Sequence, residues 1–71
     1  MHGDERSQFL ADVAATQIKA GFLVESLATT QEIESKSLKA SALADIAAAQ
    51  VKAGLKEQAR QTVAEALAEA H

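Results

Sequence analysis

Apolar residues recur every three or four positions along most of this 71-residue chain, which is the spacing of one face of an α-helix. Gly21 and Gly54 interrupt the pattern directly before new apolar runs, so they predict tight turns between helices. The polar residues 32–37 predict a third turn, with Ser35 or Ser37 capping the helix that follows. The expected helices, the first with Asp4 as its N-cap, cover about residues 4–20, 22–33, 35–53 and 56–70.

The pattern repeats itself after 33 residues. Residues 10–21 read Leu-Ala-Asp-Val-Ala-Ala-Thr-Gln-Ile-Lys-Ala-Gly, and residues 43–54 differ from them at only three of twelve positions. A period in the low thirties is typical of helical repeats that bury one face against their neighbours, and a tight turn makes consecutive helices antiparallel. We therefore predict an all-α fold in a single domain over residues 1–71, with two antiparallel helical hairpins at about residues 4–34 and 35–71.

The inward helix faces define the expected core. Its large residues are Leu10, Val13, Leu27, Leu43, Ile46, Val63 and Leu67. The outer side of the fourth helix is expected to carry Glu57, Arg60, Gln61, Glu65 and Glu69. Gln17 and Gln50 lie on or beside the packed face at equivalent positions of the two repeats. They are either a buried polar pair that fixes how the repeats stack, or partly exposed amides bonded to nearby backbone. We favour the second interpretation, because a buried amide without partners costs roughly 1–3 kcal/mol.

The two hairpins resemble tetratricopeptide (TPR) repeats, in an Ala-rich variant of bacterial type. The matching positions are the large–large–small sets of the first helix of each repeat and the turn after it: Leu10, Val13, Ala14 and Gly21, then Leu43, Ile46, Ala47 and Gly54. Ala59, Val63 and Ala66 match the second helix of the second repeat. The chain departs from the family at Gln17 and Gln50, where an aromatic is usual, and no Pro closes either repeat. The resemblance implies a right-handed stack of hairpins that serves as a scaffold for protein–protein interaction.

Composition and charge exclude several function classes. The chain has no Cys, so it can form neither a disulfide nor a thiolate metal site. Its net charge is −3 with both signs spread along the sequence, which argues against a nucleic-acid or anionic-membrane surface. No apolar run approaches the roughly 20 residues that cross a bilayer, and the polar start lacks the apolar core of a secretory signal. We expect a cytoplasmic protein.

No pattern in the sequence predicts chemistry. His2 and His71 lie at opposite ends of the chain, without a second ligand at metal-binding spacing. Neither a nucleophile–base spacing nor a Gly-rich phosphate loop is present. We therefore expect a protein that is not an enzyme and has no catalytic, cofactor-binding or metal-binding residues.

Polar residues that repeat on the first and third helices define a possible peptide groove: Gln8, Asp12, Lys19, Ser41, Asp45 and Lys52. Asp12 and Lys19 are seven residues apart and share a helix face, as do Asp45 and Lys52. In the family that the chain resembles, this face lines a concave groove. The alternative, which we favour, is a solvated face whose similarity reflects the duplication alone.

The apolar residues of the last helix and the turn before it predict self-association. Helical arrays generally need three or more repeats, with polar outer faces at the ends. This sequence has two, and Leu55, Val63 and Leu67 form a surface with no further helix to cover it. Since large apolar patches are uncommon on monomers, we expect a two-fold homodimer built on the fourth helix or the C-terminal half of the third. The alternative is a monomeric adaptor that binds an unidentified protein or peptide.

Overall fold

Four helices make up the structure, a computed structural model that describes residues 2–70, with side chains from residue 5 onward. They are α1 (His2–Lys19), α2 (Leu23–Gln31), α3 (Lys36–Lys52) and α4 (Lys56–Ala70). Over the described range the chain forms no strand, and the predicted all-α class is confirmed.

Two helix ends differ from the prediction. α1 already begins at His2, so Asp4 lies inside the helix rather than at its N-cap, and the Asp4 side chain falls outside the described ones. α2 ends at Gln31, because Thr29 and Thr30 lower the helix propensity of its last turn. Ile33 is nevertheless buried from the turn that follows, so the early end of α2 does not remove this side chain from the core.

The two Gly turns close with the same hydrogen bonds. In each turn the Gly N–H donates to the carbonyl three residues before it at 3.0 Å, and the next N–H donates to the carbonyl five residues before it at 2.8 Å. This pair of bonds is the Schellman motif, which requires a left-handed backbone at the Gly. Gly21 has φ +87° and Gly54 has φ +82°, so the predicted conformation is confirmed at both turns.

The third turn ties α3 to α1 through two serines. Ser35 is the N-cap of α3, as predicted, and its Oγ accepts a hydrogen bond from the Leu38 N–H at 3.3 Å. The Ser35 N–H in turn donates to Oγ of Ser7, a buried residue of α1, at 3.2 Å. The start of α3 is therefore fixed both within its own first turn and against the first helix.

α3 is the central helix of the molecule. It packs against α1, α2 and α4, while α1 and α2 pack against each other. Leu43 and Ile46 of α3 have no exposed surface, which confirms their place in the core. Leu10, Val13 and Leu27 of the first two helices are half-buried.

α4 packs on α3 through small residues. Ala59 and Thr62 are buried, whereas Val63 is 44% exposed and Leu67 is 60% exposed. The prediction that Val63 and Leu67 belong to the core is therefore wrong for the single chain. Small side chains at the contact let two helices approach closely, and the larger residues then lie at the edge of the interface.

Two polar contacts hold α4 in this rotation. Glu65 Oε2 accepts a hydrogen bond from Gln31 Nε2 at 2.6 Å, and Glu69 Oε2 lies 3.5 Å from Lys39 Nζ. Both glutamates are half-buried, so their predicted place on the outer side of α4 is wrong. Because both lie on one stripe of α4, turning that stripe inward turns Val63 and Leu67 outward.

The two repeated amides have different environments. Gln17 is half-buried and its Oε1 accepts a hydrogen bond from Thr29 Oγ1 at 2.8 Å. Gln50 is buried, and its Oε1 has no hydrogen-bond partner among the described residues. The hydroxyl equivalent to Thr29, that of Thr62, donates instead to the carbonyl of Gln58 at 3.0 Å. The favoured interpretation, partly exposed amides bonded to nearby backbone, is wrong for Gln50, which is buried. Gln17 is partly exposed as expected, but its amide oxygen bonds to a side chain and not to the backbone.

Candidate functional site

The six residues of the possible peptide groove are all exposed. Gln8, Asp12 and Lys19 lie on α1, and Ser41, Asp45 and Lys52 lie on α3. No ion pair joins these side chains within the part of the chain that the structure describes. Charges so fully in water interact weakly with one another, so they do not fix each other's positions.

The apolar residues beside these polar ones are small or partly covered. Ala15, Ala44 and Ala48 are exposed, and Ile18 is half-buried. Methyl groups of Ala project little from a helix, so they offer few contacts to the side chains of a peptide. The six polar residues thus lie on open helix faces, and none of them lines the two cavities between α3 and α4.

A cavity of about 360 Å³ opens between α3 and α4. We call it the C-terminal groove, and it is lined by Val51, Lys56, Ala59, Arg60 and Val63. Its lining is almost entirely apolar, with the two cationic side chains among the residues that border it. Val51, near the C-terminal end of α3, is 53% exposed. The groove therefore has an apolar floor without a covering element in this chain.

The predicted self-association residues lie around this groove. Val63 lines it, and Leu67 follows Val63 by one helical turn on the same face of α4. Leu55 lies in the turn that leads into α4 and is also exposed. Sequence reasoning missed Lys56 and Arg60, because a surface cation on a helix is by itself uninformative.

A second cavity, of about 430 Å³, lies near the other end of the contact between α3 and α4. Ala40 and Ala70 contribute its apolar part, and the polar residues Lys36, Ser37 and Glu69 complete its lining. Glu69 is already engaged by Lys39 at 3.5 Å. This cavity is more polar than the C-terminal groove and has a weaker apolar driving force for binding.

The first two helices and the turn between them also expose large apolar residues. Phe9 of α1 is 66% exposed and Val24 of α2 is 78% exposed, and Phe22 in the Gly21 turn is exposed as well. Val24 points away from the buried residues of α2, Ser26 and Thr30. Phe9 lies beside the half-buried Val13, one turn away on α1, so these two make a continuous apolar strip.

The described side chains offer no site for metal chemistry. Within residues 5–70 no group of three His, Asp or Glu side chains is close enough to hold a metal ion. His2 and His71 lie outside the described side chains. None of the described helices combines the length and the apolar character that crossing a membrane requires. The cytoplasmic location stays a prediction.

Comparison with protein-family models, with curated proteins and with solved structures gave no match.

Proposed function

We propose that this chain is a small, non-catalytic helical-repeat module that acts through protein–protein contact, chiefly with further copies of itself. The C-terminal groove is the observation that carries the proposal. It combines a volume of about 360 Å³ with an apolar floor, and Val51, Val63 and Leu67 around it have about half of their surface in water. Removing such surface from water is the main favourable term in protein association.

The size of the core supports the same proposal. The Cα atoms span 38 × 28 × 13 Å, so the molecule is a thin plate whose helices have open faces. Small domains bury a smaller fraction of their surface than large ones and gain more from association. The resemblance to tetratricopeptide repeats, which stays part of this proposal, favours an interaction scaffold over an enzyme.

The alternative is a monomeric adaptor that binds a peptide on α1 and α3. It is supported by the repeated exposure of one acid and one lysine on each helix: Asp12 and Lys19, then Asp45 and Lys52. Its acids and lysines line neither of the two cavities between α3 and α4, and interactions between exposed charges contribute about 0–1 kcal/mol each. The geometry therefore favours the C-terminal groove as the principal contact surface.

Substitution of a groove-side residue tests the proposal. Val63→Asp should shift the chain from oligomer to monomer at equal concentration, because burying an unpaired carboxylate costs roughly 3–5 kcal/mol. Light scattering measures the mass, and circular dichroism checks that the helices remain. Val24→Asp is the matched control, since Val24 is equally apolar but lies on the far face of α2.

The control should keep the mass of the wild type. If Val63→Asp also kept it, with its helical content unchanged, the C-terminal groove would not be the interface. A wild-type chain that is monomeric and binds a peptide, with binding lost on substitution of Asp12 and Asp45, would support the adaptor alternative instead.

A further inference from the structure

α3 carries two buried stripes, which face different neighbours. The first stripe consists of Ala40, Leu43, Ala47 and Gln50, and the second consists of Leu38, Ala42, Ile46 and Ala49. The first faces α4, because Ala40 and Ala70 line one cavity and the adjoining Lys39 pairs with Glu69. The second stripe lies about 100° around the helix and therefore makes the contacts of α3 with α1 and α2.

α1 repeats both stripes, but only one of them is covered. The residues equivalent to the first stripe, 33 positions earlier, are buried or half-buried: Ser7, Leu10, Ala14 and Gln17. The residues equivalent to the second stripe are Glu5, Phe9, Val13 and Thr16, which we call the α1 face. All of them are exposed except the half-buried Val13. The α1 face is thus the counterpart of the surface by which α3 docks, and it has no neighbour here.

We call the surface of the first repeat on which α3 packs the first seat. The C-terminal groove is its counterpart in the second repeat. The residues of the first repeat that are equivalent to the groove lining are Ile18, Leu23, Ser26, Leu27 and Thr30. All five are buried or half-buried in the presence of α3. Of the groove residues only Ala59 is buried, and the other four are exposed. The chain therefore presents both halves of one internal interface, unoccupied, on different surfaces.

We propose that the α1 face of one copy occupies the C-terminal groove of the next copy, as α3 occupies the first repeat within one chain. This inference rests on the proposed self-association and names the two surfaces that meet. Residues 10–21 and 43–54 share nine of twelve positions, so the two helices are closely related. The four residues of the α1 face nevertheless all differ from their counterparts in α3, which are Leu38, Ala42, Ile46 and Ala49.

The sequence differences between α1 and α3 match those between the C-terminal groove and the first seat. Where the first seat has Leu23 and Leu27, the groove has Lys56 and Arg60, and so it offers less apolar surface. The α1 face has Phe9 at the position of Ala42 in α3 and thus supplies more apolar surface. Its one charged residue, Glu5, is opposite in sign to the two cations of the groove. Opposite charge at the rim of an interface favours this pairing over others.

This contact is heterologous, which changes the expected assembly. Each copy in a head-to-tail pair keeps one free α1 face and one free groove, so growth beyond the dimer is open. The two-fold dimer expected from the sequence would instead use α4, the C-terminal half of α3, or both, in each copy and would stop at two. The two arrangements predict different behaviour for variants blocked at only one surface.

Complementation of two blocked variants tests the proposal. Phe9→Glu blocks the α1 face and leaves the groove intact, whereas Val63→Glu blocks the groove and leaves the α1 face intact. Each variant alone should sediment as a monomer, and an equimolar mixture should restore association as a 1:1 heterodimer without higher species. Val24→Glu, which adds the same charge outside both surfaces, should assemble like the wild type. Circular dichroism verifies the fold, and Val51→Glu replaces Val63→Glu if the latter unfolds.

The outcomes separate this inference from the proposed function. If Phe9→Glu still associated while Val63→Glu did not, the groove would be an interface but the α1 face would not, and the head-to-tail arrangement would be refuted alone. A mixture of folded, monomeric variants that stays monomeric would also overturn it. If the wild type itself were monomeric at several hundred micromolar, the proposed self-association would fail as well.

Discussion

Gly21 and Gly54 are the residues at which the sequence determines the backbone most directly. Each stands at the left-handed position of a Schellman motif, where a side chain brings Cβ close to the following carbonyl. Apart from the Gly itself and the residues directly before and after it, a Cβ built on either Gly would meet no described atom within 4 Å. The requirement for Gly therefore comes from the backbone angle and not from crowding.

Substitutions at Gly54 should separate these two causes. Gly54→Val should lower the free energy of unfolding by at least about 1 kcal/mol, because a β-branched residue is strained at positive φ. Gly54→Asn should lose less, since Asn tolerates the left-handed region better. Thermal unfolding of the three proteins measures the difference. If the Val and Asn variants lost the same free energy of unfolding, strain at positive φ would not be the cause of the destabilisation.

Gln17 and Gln50 share a sequence environment but differ in what their amide oxygens contact. The Gln17 oxygen accepts from Thr29, whereas the Gln50 oxygen is buried without a partner among the described residues. The repeat alone could not predict this difference, because the rotamer of Thr62 decides whether the second bond forms. A buried polar atom without a partner stabilises less than an apolar group of similar shape.

Methionine at the two positions should therefore have opposite effects. Gln17→Met should destabilise the fold by about 0.5–1.5 kcal/mol, since the Thr29 hydroxyl loses its acceptor. Gln50→Met should leave the melting temperature unchanged or raise it, since it removes an unsatisfied amide and keeps the volume. Calorimetry of both variants checks the contrast. A larger loss at Gln50 would mean that its amide has a stabilising partner in solution.

At the scale of the helices, periodicity and turn residues predicted the number of helices and both Gly turns. They did not predict how α4 is rotated on α3. Its apolar stripe is flanked by Ala on both sides, so several rotations bury similar area. The contacts of Glu65 with Gln31 and of Glu69 with Lys39 select one of them, and these partners are about 30 residues apart in sequence. Val63 and Leu67 are exposed because α4 takes this rotation.

The start of α3 gives a prediction at the same scale. Ser35→Ala removes the oxygen that accepts from the Leu38 N–H, and it should cost about 1 kcal/mol of unfolding free energy. Ser37→Ala, an exposed position one residue inside α3, is the control and should change stability by less than about 0.5 kcal/mol. Chemical denaturation measures both. If the two variants lost stability equally, the cap of α3 would contribute nothing.

At the scale of the whole molecule, a thin plate of four helices leaves the C-terminal groove and most of the α1 face in water. Val63 and Leu67 could be named from the sequence as residues of an association surface, because they are the large apolar residues of the last helix. The C-terminal groove could not be predicted from the sequence, because it depends on the rotation of α4 and on the exposed position of Val51 beside it. The contact proposed for Phe9 rests on the different burial of equivalent positions in the two repeats, since Phe9 is exposed and Ala42 is buried.

Sedimentation equilibrium of the wild-type chain over a wide concentration range tests the central claim most directly. We expect a mean mass above the monomer value of 7.4 kDa at micromolar concentration, rising further with concentration as more grooves are occupied. A mass that stays at 7.4 kDa up to several hundred micromolar, together with cooperative thermal unfolding, would contradict self-association and leave the adaptor as the better account.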